Sequence, residues 1–225
     1  MKKTLILLTS LLIMCLPLLA QELVEARTAV AKQFPTNVLN MELRFSTELQ
    51  RLYFQLEAIA NKADIDDLAH NGFFLPKTAR IQGVWLNGKH IRLSYMPELT
   101  FNPPLEDESL LAADSPARFF ILEIDDYPGL PEQVEVRINY YINMPPFKAS
   151  TIGQQFTFLD PDCFWYPRNL SQGTNINFKL ITTPRLRLSL GGSLVPYSDH
   201  DYKREHTANF TDDPAEPLSL RIIRD

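Results

Sequence analysis

Apolar and polar residues alternate with a period of two along most of this chain. Met41, Leu43 and Phe45 alternate with Glu42 and Arg44. The rhythm returns at Leu52, Phe54 and Leu56, at Ile91, Leu93 and Tyr95, and from Val134 to Ile142. It returns again at Ile176, Phe178 and Leu180, at Leu186, Leu188 and Leu190, and at Leu218, Leu220 and Ile222. Successive side chains of a strand point to opposite faces, so these segments predict strands with one wet and one buried face. Residues 119–122 are continuously apolar, the pattern of a strand covered on both sides. Asn87-Gly88 is a two-residue hairpin signal. Asn102-Pro103-Pro104, Tyr127-Pro128-Gly129, Met144-Pro145-Pro146 and Asp160-Pro161-Asp162 are further breaks. The pattern predicts roughly ten to twelve strands without βαβ spacing. The expected fold is all-β, an antiparallel β-sandwich forming one domain over residues 38–225. Residues 64–69 add one helical turn.

The start of the chain follows another pattern. Met1-Lys2-Lys3 is basic, residues 4–19 are apolar and uncharged, and Ala20 precedes Gln21 and Glu22. This is the layout of a secretory signal peptide over residues 1–20, which predicts an exported protein, periplasmic or extracellular. The apolar run is short for a membrane span, so no membrane association is expected after cleavage. An uncleaved anchor is the competing reading. A lipoprotein at Cys15 is disfavoured, because Met14 stands where processing needs a small residue. Residues 22–34 read as a short helix with Leu23, Val30, Ala31 and Phe34 on one face, ended by Pro35, and residues 21–37 form a helix and linker.

Composition narrows the class without naming a reaction. Of 225 residues, 45% are hydrophobic and 22% charged, enough apolar surface for a core. The net charge of −5 offers nothing to nucleic-acid phosphate. Signal cleavage would remove Lys2 and Lys3 and make that charge more negative. It would also remove Cys15, leaving Cys163 without an intramolecular disulfide partner.

Few residues carry catalytic promise. HExxH, GxSxG, Gly-rich phosphate loops and paired-Cys metal motifs are all missing from these residues. His200 and His206, with Asp199, Asp201 and Glu205, have donors enough to hold a metal. A solvated polar loop is the favoured reading, since a structural zinc needs about four well-placed ligands. Asp64, Asp66 and Asp67 beside His70 read as helix-terminus capping rather than an acid–base pair. Cys163, between Asp162 and Phe164, lacks the positive surroundings that make a thiolate. No catalytic residue, cofactor or metal site is therefore expected. The aromatic run Phe164-Trp165-Tyr166-Pro167 has two readings, a core plug or an aromatic contact surface. Trp165 is expected to point inward as a plug. Tyr166, its opposite neighbour in an extended segment, is the better surface candidate. Trp85 is a third candidate contact residue.

The aromatic run also belongs to a longer similarity. FTFLDPDCFWYPRN (residues 156–169), followed by TNINFKLITTPRLRLSLGGSLVP (residues 174–196), resembles the N-terminal β-sandwich domain of the membrane alanyl aminopeptidase family, the gluzincin aminopeptidases. MELRFSTELQRLYFQLEAIA, FFLPKTARIQGVWLNGKHI, and FFILEI followed by VEVRINYYINM agree with its earlier strands. The similarity spans about residues 38–224. It implies that fold, and in that family the zinc ligands and general base come from a second domain, which would begin about where Asp225 stands. Gln154 and Gln155 lie near the family's substrate-pocket residue, but residues 156–163 depart from its pattern, so no catalytic role is carried over. The leading expectation is a secreted, non-catalytic binding or scaffolding module with an unidentified protein or peptide partner and an open oligomeric state. The alternatives are one piece of a split or truncated zinc aminopeptidase, and a sugar-binding sandwich using Trp85, Trp165 and Tyr166.

Overall fold

The computed structural model describes residues 38–71, 73–76, 78–96, 117–124, 127, 129–144, 155–159, 165–168, 173–213 and 218–224. The expected helix over residues 22–34, the signal segment and Cys163 lie outside them.

The described residues are dominated by strands, as the two-residue rhythm predicts. They are β1 (Val38–Ser46), β2 (Arg51–Asn61), β3 (Phe73–Pro76), β4 (Ala79–Leu86), β5 (Lys89–Met96), β6 (Ala117–Glu123) and β7 (Gln133–Asn143). There follow β8 (Gln155–Leu159), β9 (Thr174–Thr182), β10 (Leu186–Leu190), β11 (Ser193–Leu194), β12 (Tyr197–His200), β13 (Lys203–Asp212) and β14 (Leu220–Arg224). One helix, α1 (Lys62–Asn71), joins β2 to β3 and is longer than the single turn expected. Asp64 accepts a hydrogen bond from the Asn61 amide at 3.2 Å, so this acidic residue caps the helix start.

The strands form a ten-stranded sheet, in the order β12-β13-β9-β1-β2-β7-β4-β5-β6-β3, and a four-stranded sheet, β11-β10-β14-β8. The expectation of a wholly antiparallel fold needs correction, because β1 runs parallel to β9. Their register places Met41 opposite Phe178 and Leu43 opposite Leu180, so the apolar faces match although the directions do not cross. Strand β5 changes partners along its length: Lys89–Ile91 face β4, and Arg92–Met96 face β6.

Alternate residues of β1, β2, β7 and β9 are buried, and their buried members join those of β10 and β14 in one core. Strand β6 departs from the expected all-round cover: Phe120 and Leu122 are buried, while Ile121 is half-buried. The alternate residues of β1, β2, β7 and β9 on the opposite side are exposed or half-buried, whereas β3 is buried on both faces. No helix of the described residues is long and apolar enough to cross a membrane.

Candidate functional site: the wet face of the large sheet

On the solvent side of the large sheet, side chains line up in rows across the strands. Pairing places Asn209 opposite Asn177, Asn177 beside Asn40, Asn40 opposite Glu57, Glu57 opposite Arg137, and Arg137 opposite Trp85. Asn177 Nδ2 donates to Asn40 Oδ1 at 2.7 Å. One row away, Thr211 donates to Asn175 Oδ1 at 2.8 Å. On the other side of the Asn177–Asn40–Glu57 row, toward the row of Lys179, Glu42 and Gln55, lies a shallow depression of about 200 Å³ lined by Asn40, Met41, Glu42, Gln55, Glu57, Asn177 and Lys179.

Trp85 closes the row at the β4–β5 hairpin. It is half-buried, and its indole lies back over Gly83. The strand is bulged between Ile81 and Gly83, and the indole occupies the space a side chain at 83 would need. The Arg137 guanidinium sits 4.7 Å from the indole centre, a cation–π geometry. Arg137 Nε finds no hydrogen-bond partner among the described residues, and the guanidinium rests on the aromatic face. His90 meets the indole at 5.5 Å, edge to face. A second stack shares the face: Tyr53 and Tyr141 are 5.7 Å apart, with Arg51 4.5 Å from the Tyr141 ring.

The other two aromatic candidates lie inside. Trp165 is fully buried, as a plug must be. Its indole Nε1 donates to the Leu218 carbonyl at 2.8 Å, and its own carbonyl accepts from the Tyr140 hydroxyl. Phe54 stacks on Tyr140 at 4.5 Å, so the plug is tied to β2 and β7. Tyr166 is 1% exposed, which corrects the expectation of a surface contact. The chain bends at Trp165 and Tyr166, so the opposite-face rule for extended residues does not apply there. Burial raises the Tyr166 hydroxyl well above its ordinary range, and the Asp212 carboxylate adds to the effect.

Two further features were absent from the sequence reading. Arg168 Nε pairs with Asp212 Oδ2 at 3.1 Å, and both side chains are buried. Among the described residues, Tyr166 Oη, Arg168 Nη2 and Asp212 Oδ1 find no hydrogen-bond partner. No local signal joins residues 44 positions apart. Gly83 carries no motif either; its role appears only when Trp85 folds over it.

The polar cluster at the β12–β13 hairpin does not converge. His200 is exposed and faces Ser198 at 3.2 Å. His206 is buried opposite Tyr197, and Asp199 is held by Arg204 through contacts of 2.7 and 3.1 Å. Burial lowers the His206 imidazole from its ordinary value, and the nearby Val195 and Leu186 backbone offsets part of this. Neither His206 ring nitrogen reaches hydrogen-bond geometry with a partner among the described residues. Among the described residues, no group of three His, Cys, Asp or Glu is placed to hold a metal. Asp66 is paired with Lys62 at 2.9 Å. The side chains of Asp67 and His70, and residue 154, lie outside the described set. The wet face is therefore equipped for stacking and hydrogen bonding.

No protein-family model and no curated protein sequence matches the chain. Solved structures do match, among them zinc metallopeptidases of the M1 group and leukotriene A4 hydrolase. Native leukotriene A4 hydrolase from Saccharomyces cerevisiae is 10% identical with a TM-score of 0.51, over 85% of this chain and 29% of the hydrolase. The yeast hydrolase in complex with bestatin gives 10% identity and a TM-score of 0.49, over the same shares. An M1 zinc metallopeptidase from Deinococcus radiodurans is 11% identical with a TM-score of 0.46, over 85% of this chain and 43% of that one. The first of these likenesses shows a shared fold, that of the N-terminal region of such enzymes. The chain spans less than half the length of each of these structures.

Proposed function

We propose that this chain is an exported, non-catalytic binding or scaffolding module whose contact surface is the wet face of the large sheet around Trp85. The observation that carries the reading is the Trp85 indole, laid on the solvent side over a glycine and stacked with Arg137. Large aromatics and arginines are the residue types that anchor interfaces. Trp165 and Tyr166 take no part, because both are interior. The basic start and Ala20 support export, with Gln21 as the mature N-terminus, which mass spectrometry of the exported protein would read directly. A second reading is favoured by length alone: the chain corresponds to under half of the similar structures, as one piece of a longer zinc aminopeptidase would. An open frame encoding HExxH in the DNA after codon 225 would favour it.

The contact surface is tested by placing a photo-crosslinking residue at position 85 in the exporting cell. Tyr202, 92% exposed at the tip of the β12–β13 hairpin, is the control. The account expects a discrete protein adduct from position 85 and none from position 202. Equal labelling at both positions, or none at 85, would refute the assignment.

A further inference from the structure

The β4–β5 turn holds a second chemistry, independent of the contact role of Trp85. Its two central residues are Asn87 and Gly88, with φ of 47° and 77°. An asparagine carboxamide carbon is an electrophile within reach of the next backbone nitrogen. A bulky following residue hinders that approach; Gly88 offers no side chain, and the space around it is open. The fold restrains this electrophile from the other side. The Asn87 amide donates to the Glu135 carbonyl at 2.9 Å, and Asn87 Oδ1 accepts from the Glu135 amide at 2.8 Å. Ring closure swings the carboxamide carbon toward the Gly88 nitrogen and so draws Oδ1 off Glu135.

We propose that Asn87 is a site of spontaneous backbone modification, gated by docking of the β4–β5 turn on β7. When the turn lifts, the Gly88 nitrogen attacks Asn87 Cγ. A new C–N bond forms, the carboxamide C–N bond breaks, and ammonia leaves with the proton of the Gly88 amide. The succinimide then takes up one water at either carbonyl, giving aspartate or isoaspartate. No oxidant, reductant or cofactor enters the balance. Both products add a negative charge beside Glu135. Isoaspartate also lengthens the backbone of a two-residue turn, and Trp85 stands two residues before it.

The test incubates the full mature chain in mildly alkaline buffer, native or in urea, and follows residue 87 by peptide mapping that separates aspartate from isoaspartate. Asn71-Gly72 supplies the same dipeptide as an internal reference in the unfolded chain. In urea, both sites are expected to convert at similar rates. In the native protein, conversion at Asn87 is expected to slow by about tenfold or more, since reaction waits on local opening. Equal native and urea rates would overturn the gate, and no conversion at Asn87 in urea would overturn the site. Gly88→Val, assayed in urea where folding plays no part, should slow conversion at Asn87. An unchanged rate in that variant would overturn the ring-closure route.

Discussion

A Cβ added to Gly83 would lie 2.6 Å from Cη2 of Trp85, closer than real contacts allow. The glycine is thus the seat of the indole, and Gly83→Ala should lift Trp85 from the sheet. Overpacking of this kind costs about 1–3 kcal/mol. The cost should fall toward the low end, because the displaced group is the far end of a side chain. The expected readout is a red shift of tryptophan emission with a modest fall in melting temperature. Unchanged emission would show that the indole does not rest on Gly83.

Trp165 and Tyr166 are adjacent and buried, yet their polar atoms differ. The Trp165 indole nitrogen is bonded, whereas the Tyr166 hydroxyl, though under the influence of Asp212 and Arg168, meets no hydrogen-bond partner among the described residues. Trp165→Ala should cost about 3–5 kcal/mol, a large part of what holds a domain together. Tyr166→Phe removes only the unpaired hydroxyl and should be neutral or stabilising. Thermal unfolding of the two variants side by side checks both. A fall of many degrees in Tyr166→Phe would mean that the hydroxyl is bonded.

The Arg168–Asp212 pair is buried on both sides, so removing one partner leaves an uncompensated charge. Arg168→Met should destabilise by about 3–5 kcal/mol. The double variant Arg168→Met with Asp212→Leu should recover part of that loss. A double-mutant cycle by urea unfolding measures the coupling. Additive losses would show that the two side chains do not depend on each other.

Protonation of His206 gives a pH dependence of known sign. Burial lowers its folded value below the ordinary 6.5, so the unfolded chain takes the proton first. Its contribution is full above 6.5 and declines as pH falls from there toward the folded value. Urea unfolding on either side of 6.5 should show wild-type stability falling with acid, and less so in His206→Phe. Parallel pH profiles for the two proteins would contradict this.

Much of the strand layout is legible in the alternation itself, because a half-buried strand imposes a two-residue period. Met41–Phe45, Leu52–Leu56 and Ile176–Leu180 show it. Direction is not legible, since the period reads the same either way along the chain, and so the parallel pairing of β1 with β9 was missed. Strand β12 is exposed along its whole length and leaves no period to find. The inward turn of Tyr166 was hidden because the chain bends there. The pairing of Arg168 with Asp212 and the seat of Trp85 on Gly83 arise only from tertiary contact. Trp85 itself was visible as an aromatic candidate, but not the Arg137 stack that marks its face.

Whether this module lacks peptidase chemistry of its own can be read from one purified sample of the mature chain. Zinc content by elemental analysis and hydrolysis of amino-acid anilides would be measured together, with and without added zinc. The account predicts no stoichiometric zinc and no hydrolysis above buffer. One zinc per chain with hydrolysis, both lost in His200→Ala or His206→Ala, would contradict it.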